Sequence, residues 1–97
     1  MAEPILEAEY ANEKGHIAFM TGQIVCKGGG SGRIQAELFD VEGQRRFDLV
    51  AGAHHHADPS AEDACNTLTL PVPPGWKAKC YRVETAAGVE TRWAEID

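Results

Sequence analysis

The sequence predicts an all-β domain, a small antiparallel sandwich of two sheets with about seven strands. Three observations indicate this fold class. Several short segments alternate apolar and polar residues with a period of two, as strands with one buried face do. Glycine, proline and aspartate separate these segments, and the sequence shows no helical repeat. A chain of 97 residues is long enough for one hydrophobic core and too short for two.

The N-terminal segment, residues 1–14, precedes the clearest strand pattern. Its apolar residues Ile5, Leu6 and Tyr10 predict either a first short strand or a connecting arm. We therefore divide the chain into this segment and a β-sandwich domain that covers residues 15–97.

Two strands and a glycine-rich turn are predicted next. Residues 16–26 alternate apolar and polar side chains, with a bulge or bend at Gly22. Residues 28–32 form a hairpin turn or a mobile surface loop. A phosphate-binding loop would lead into a helix, whereas here alternation resumes directly and predicts a strand over residues 33–41.

The middle of the chain adds one more strand and the longest irregular connection. A turn at residues 40–43 leads into a strand over residues 44–53. The connection at residues 52–63 is rich in alanine, histidine, aspartate, proline and serine. Loops of roughly ten residues often carry function, so this connection is a candidate binding segment.

The C-terminal third carries the strongest strand pattern. Leu68, Leu70 and Val72 alternate with polar residues and proline, which predicts one buried face. A Pro-Pro-Gly sequence then forces a turn, and two further strands are predicted over residues 76–85 and 89–96. We expect these three strands to pair in order as a β-meander.

Composition and charge exclude several partners. The net charge is −6, and the acidic residues are dispersed along the predicted strands. A nucleic-acid-binding surface needs a basic patch, so we expect no nucleic-acid partner. No apolar run reaches about 18 residues, and the N-terminus lacks the pattern of a signal peptide. We therefore expect no membrane insertion and folding in the cytoplasm.

The three cysteines are predicted to be reduced. Cys26, Cys65 and Cys80 form no Cys-x-x-Cys pair, and their odd number disfavours a disulfide framework. We expect them to pack as small apolar residues. Cys65 and Cys80 lie on neighbouring predicted strands, where they could touch.

The sequence His54-His55-His56 is the one candidate metal-binding segment. In an extended chain, His54 and His56 point to the same side and present two imidazoles, which is half of a transition-metal site. A trimer with this segment on its threefold axis would supply six nitrogens for an octahedral divalent metal. The alternative is a solvated loop, and no other cofactor is predicted.

A catalytic constellation is not evident. The cysteines fall on strands with apolar neighbours, and Ser31 and Ser60 lack the context of a nucleophile elbow. Asp58 and its acidic neighbours lie on a loop that would position catalytic carboxylates poorly. We therefore expect a protein that is not an enzyme.

Several short motifs recur in a characteristic order. The C-terminal third contains Val-Pro-Pro-Gly at residues 72–75, Tyr-Arg-Val at residues 81–83 and Trp-Ala-Glu-Ile at residues 93–96. The earlier half contains an Asn-x-x-Gly sequence from Asn12, the glycine-rich turn and a strand with Ile-Gln-Ala at residues 34–36. Over residues 10–97, this order resembles the C-terminal tip domains of bacteriophage tail fibres.

The resemblance implies a non-catalytic, homotrimeric knob on a virion tail fibre that attaches to a glycan or protein on the bacterial surface. Exposed loops on a rigid sheet would then contact the receptor. The residues assigned to these loops, with one aromatic beside a turn, are Gly29, Gly30, Ser31, His55, Asp58, Ser60 and Trp76. The alternative function is a small free-standing module that binds and inhibits a host protein.

Overall fold

The computed structural model consists of two antiparallel β-sheets, and the predicted all-β sandwich is confirmed. The structure describes residues 4–55, 64–84 and 88–96. Within these ranges there are seven strands and no helix long and apolar enough to cross a membrane. The strands are β1 (Ile5–Ala11), β2 (Ala18–Cys26), β3 (Ser31–Phe39), β4 (Arg45–His54), β5 (Ala64–Val72), β6 (Lys77–Glu84) and β7 (Val89–Ile96).

The chain passes repeatedly between the two sheets. Sheet A has the strand order β1-β6-β3-β4, and sheet B has the order β5-β2-β7. Only the connection from β3 to β4 joins two neighbouring strands of one sheet, and the other five connections cross to the opposite sheet. Two of these crossings lie at one end of the sandwich and three at the other, because successive strands run in opposite directions.

The predicted β-meander is wrong. Strands β5 and β7 flank β2 in sheet B, whereas β6 lies between β1 and β3 in sheet A. Alternation shows which side chains of a strand face the core, but it contains no information about the strand's neighbours. The Pro-Pro-Gly sequence still turns the chain, and it does so across the roughly 10 Å gap between packed sheets.

The strand boundaries settle two alternatives that the sequence left open. Residues 5–11 form a strand of sheet A, so this part of the N-terminal segment belongs to the sandwich. A hairpin at residues 28–32 is wrong, because β2 and β3 lie in different sheets. Two predicted loops are also shorter than expected: β3 begins at Ser31, and β4 continues through His54.

The hydrophobic core fills the space between the sheets. Every second residue of β2, beginning with Ala18, is buried, as expected for a strand whose one face packs on the opposite sheet. The predicted inward residues of β5 follow the same pattern. The largest contributions come from aliphatic and sulfur-containing side chains, namely Met20, Ile24, Cys26, Ile34, Leu38, Leu68, Leu70, Val72 and Cys80.

Asn12 is the buried polar residue that joins two crossings at one end of the sandwich. Its side-chain amide donates to Val72 O at 2.7 Å and His16 O at 2.9 Å, and its Oδ1 accepts from the Lys14 N–H at 2.9 Å. Its backbone N–H donates to Trp76 O at 2.9 Å. Only 1% of Asn12 is exposed, so water cannot reach its amide. The protein partners supply the hydrogen bonds that water would make to an exposed amide.

Glu7 closes one long edge of the sandwich. A β-bulge between Leu6 and Ala8 leaves Glu7 without a pairing partner on β6 and redirects its side chain. Its carboxylate accepts from Thr91 Oγ1 at 2.7 Å and from Trp93 Nε1 at 2.9 Å. Strands β1 and β7 are edge strands of different sheets, so Glu7 holds the two sheets together there.

Trp93 packs across the middle of sheet B. It is the cross-strand partner of Gly22, and a Cβ atom on Gly22 would lie 2.3 Å from the indole ring. The predicted bend at Gly22 is therefore a site of close approach, where only hydrogen leaves room for the ring.

The cysteines occupy two different environments. Cys26 and Cys80 are buried, whereas Cys65 is exposed on β5, and all three are free thiols. Cys65 is exposed on sheet B, whereas Cys80 of sheet A lies in the core, so the contact that the sequence allowed is not formed. Burial raises the pKa of Cys26, and burial together with the nearby Glu7 carboxylate raises the pKa of Cys80 to about 11.

Replacing Asn12 is expected to destabilise the fold strongly. Asn12→Ala removes three hydrogen bonds and leaves buried backbone groups without partners, so we expect a loss of about 3 kcal/mol in the free energy of unfolding. The measurement is urea denaturation. The control is Asn66→Ala, whose hydrogen bonds are exposed to water and whose loss should stay below about 1 kcal/mol. Equal losses in the two variants would contradict the role of Asn12.

A second stability test concerns the contact between Gly22 and Trp93. Gly22→Ala should lower the free energy of unfolding by about 1–3 kcal/mol, because the added methyl group overlaps the indole ring. Gly52→Ala is the control, since its nearest neighbour would be at 3.5 Å and no loss is expected. Combining Gly22→Ala with Trp93→Leu should cost less than the sum of the single changes. An additive result would refute the steric explanation.

Thiol accessibility provides a third test. At neutral pH, an aromatic disulfide reagent should modify one thiol in the native protein, Cys65, and all three after unfolding.

The stabilising effect of burying protonated Cys80 should persist below pH 9.0 and decline as the pH rises towards about 11. Cys80→Ala should abolish that part of the alkaline transition. Rapid modification of more than one thiol in the native state would contradict the buried arrangement.

Candidate functional site

Three crossings between the sheets meet at one end of the sandwich, which we call the loop end. In the crossing from β2 to β3, Gly30 N donates to Lys27 O at 2.8 Å. Gly28 and Gly29 have φ angles of 57° and 83°, which glycine adopts without a steric penalty in such turns. The Lys27 N–H donates to Gly88 O at 2.8 Å, and this bond attaches the start of β7 to the same turn.

His55 attaches the third crossing. This residue follows β4 directly and is only 6% exposed. Its backbone N–H donates to Gly30 O at 2.9 Å, and its Nδ1 accepts from the Gly29 N–H at 3.1 Å. A nitrogen that accepts this bond carries no proton, so the tautomer with hydrogen on Nε2 fits the arrangement. His55, the last described residue in the second predicted loop, is therefore hydrogen-bonded to the glycine turn.

A groove of about 440 Å³ opens beside the loop end on the outer face of sheet A. Arg33 pairs with Gly52 on β4 and with Val83 on β6. The next pair along the strands, Ile34 and Ala51, faces the core, so Arg33 and Gly52 face outward. We call this the loop-end groove, and its lining residues are Ser31, Gly32, Arg33, Gly52, Ala53, His54 and Val83.

The loop-end groove combines an apolar floor with a polar rim. Gly52 places no side chain opposite Arg33, and Val83 contributes a buried apolar surface. Ser31 and His54 are cross-strand partners and supply a hydroxyl and an imidazole at the end of the groove. An apolar surface with a few converging polar groups is typical of small-ligand sites.

A second groove of about 410 Å³ follows along β3 on the same face, the mid-sheet groove, lined by Pro4, Gln35, Glu37 and Tyr81. Burial, and then a hydrogen bond to Glu37, raise the pKa of Tyr81. Its phenol is therefore a hydrogen-bond donor at neutral pH. Glu37 also accepts from Arg45 at 3.0 Å, which neutralises its charge locally. Together the two grooves make the outer face of sheet A a candidate binding surface.

The structure brings together some of the predicted receptor-binding residues. Gly29, Gly30, Ser31 and His55 all lie at the loop end. Asp58 and Ser60 lie outside the described residues. Trp76 lies at the opposite end of sheet A, half-buried against the core, because β6 begins where β3 ends.

The hypothesis of a metal site rests on His54 and His56, and only the first is described. His54 ends β4 and borders the loop-end groove, whereas His56 lies outside the described residues. Within residues 4–55, 64–84 and 88–96, no three histidine, cysteine or acidic side chains are grouped to hold a metal. A metal shared between the copies of a trimer remains a prediction.

The three cysteine thiols, which are all among the described residues, lie apart from the grooves. Cys26 and Cys80 point into the core with raised pKa values, so their thiols are protonated at neutral pH. Cys65 is exposed on sheet B, away from the grooves of sheet A. The expectation of a protein that is not an enzyme stays a prediction.

The sequence motifs do not predict Arg33, Gly52 or Val83 as lining residues of the groove. Period-two alternation over residues 33–41 is compatible with an outward-facing Arg33. The open space in front of it arises because glycine is its partner on β4, and this pairing depends on the register of two strands. Val83 could not be found either, because β6 had been expected next to β5.

The chain matches no protein-family model, and it has no significant match among curated proteins.

Proposed function

We propose that this chain is the receptor-binding tip domain of a bacteriophage tail fibre, a non-catalytic module that attaches to a glycan or protein on the bacterial surface. In this proposal, it folds in the host cytoplasm and acts on the virion as a homotrimer. No nucleic acid, membrane insertion or catalytic step is involved.

The observation that carries the proposal is the construction of the loop end. His55 joins its own connection to the glycine turn through two hydrogen bonds, at 2.9 Å to Gly30 and 3.1 Å from Gly29. The glycine turn and the residue that follows β4 are therefore held together beside an open groove of about 440 Å³. A preorganised turn of this kind lowers the entropic cost of binding, as attachment proteins require.

A second observation supports the resemblance on which the proposal draws. Two of its motifs, the Asn-x-x-Gly sequence and the Val-Pro-Pro-Gly turn, are distant in sequence but meet in space. The Asn12 amide donates to Val72 O, and the Gly75 N–H donates to Asn12 O at 2.8 Å. The motifs thus work as one structural unit, which gives a physical reason for their occurrence together.

The outer face of sheet B supports association with further copies of the chain. Phe19, 39% exposed, is the cross-strand partner of both Pro71 and Ile96, and Ile96 is 51% exposed. Exposed apolar residues that adjoin one another are typical of subunit contacts. This face is opposite the grooves, so a trimer formed through it would leave the binding surface of sheet A open.

The proposal is tested by oligomeric state and by attachment to cells. Light scattering at micromolar concentration should give the mass of a trimer, and a stable monomer would overturn the fibre-tip assignment.

The labelled protein should also bind intact cells of some strains in a panel of bacteria. His55→Ala should reduce this binding by about tenfold, because the two loops lose their link.

The matched control is His16→Ala, which changes an exposed histidine at the opposite end of the sandwich. It should bind cells like the wild type, and circular dichroism should show that both variants remain folded. Equal attachment by both variants would exclude the loop end as the receptor site. A monomer that binds no intact cells but inhibits a purified host enzyme would favour the free-standing inhibitor.

A further inference from the structure

Arg33 is exceptional among the arginines of this acidic chain. The sequence has 15 acidic and 9 basic residues, so carboxylate partners are abundant. Arg33 nevertheless has no ion-pair partner among the described residues. The other four arginines each have one: Arg45 with Glu37 at 3.0 Å, Arg46 with Asp40 at 3.7 Å, Arg82 with Glu7 at 3.6 Å and Arg92 with Glu90 at 3.8 Å.

The position of Arg33 also leaves its guanidinium available to a ligand. Arg33 lies in the loop-end groove, between a glycine on one neighbouring strand and Val83 on the other. Neither neighbour can compete for its N–H donors through a side chain. A planar guanidinium binds a carboxylate through two parallel hydrogen bonds, so one arginine suits one carboxylate.

The remainder of the groove fits a sugar ring better than a simple anion. Gly52 is exposed and has no side chain, so the backbone there leaves room for the C–H face of a pyranose beside Arg33. Ser31 and His54 lie within the same groove and supply polar groups for ring hydroxyls. The mid-sheet groove continues along β3 with Gln35 and Tyr81, so a longer saccharide has a path across the sheet.

A phosphate-bearing ligand is less well matched. Of the residues that line the loop-end groove, Arg33 is the one with a permanent positive charge, and the whole chain has a net charge of −6. A phosphate dianion would carry a second negative charge without a second cation to receive it, and it would be repelled more strongly by the chain. A ligand with a single negative charge is therefore favoured.

We infer that the loop-end groove binds the uronic-acid units of an acidic saccharide, with the sugar carboxylate on the Arg33 guanidinium and the ring over the exposed backbone at Gly52. This inference rests on the proposed attachment function, because it names the class of surface glycan that the tip domain would recognise.

The test is a titration of the ¹⁵N-labelled full chain, followed by NMR, with sodium D-glucuronate. Amide signals of residues 31–33 and 52–54 should shift in a saturable manner. D-glucose at equal concentrations should cause much smaller shifts, since it lacks the carboxylate, and acetate should also be weak, since it lacks the ring. Arg33→Gln should weaken glucuronate binding by about tenfold, because a charge-assisted pair of hydrogen bonds is lost.

Arg92→Gln is the matched control, because Arg92 is an exposed arginine on sheet B. It should bind glucuronate like the wild type. The inference is overturned if Arg33→Gln binds glucuronate normally, if glucose or acetate binds equally well, or if D-glucose 1-phosphate binds more tightly. The titration requires no cells, so failure of cell attachment with intact glucuronate binding would refute the tip-domain function alone.

Discussion

The buried amide of Asn12 is the constraint around which the sandwich is organised. A side chain with 1% exposure must find protein partners for its donors and its acceptor, because the penalty for leaving them unsatisfied exceeds the value of any one surface contact. These partners come from both crossings at this end, on the β1–β2 side and on the β5–β6 side. Satisfying the amide therefore fixes how one sheet lies on the other.

The end of the sandwich opposite Asn12 contains the other crossings between the sheets. Five of the six connections cross between the sheets, and three of these crossings lie at the loop end. There the connections are bonded to one another through His55 and Lys27. The grooves lie on the outer face of sheet A, apart from the packing residues that fill the space between the sheets.

Most arginines of the chain are paired with carboxylates. Arg45, Arg46, Arg82 and Arg92 each form an ion pair, and the Glu7 carboxylate also joins edge strands of different sheets. Exposed ion pairs of this kind contribute little stability individually. Arg33 has a glycine and a valine as its cross-strand neighbours, and neither offers a carboxylate. The proposed binding of a single anion rests on this arrangement.

The sequence by itself determined the fold class, most strand positions and the inward residues of β5. Leu68, Leu70 and Val72 illustrate this, because period two is a local property that the pleat imposes on any half-buried strand. It also assigned the glycine turn and His55 to loops, but it did not show that the two are bonded to one another. Only the tertiary structure decided that β6 pairs with β3 and that Gly52 faces Arg33. Pairing and register depend on contacts between residues far apart in the chain, and alternation is equally compatible with several partners, so a groove made by three strands cannot be derived from any one of them.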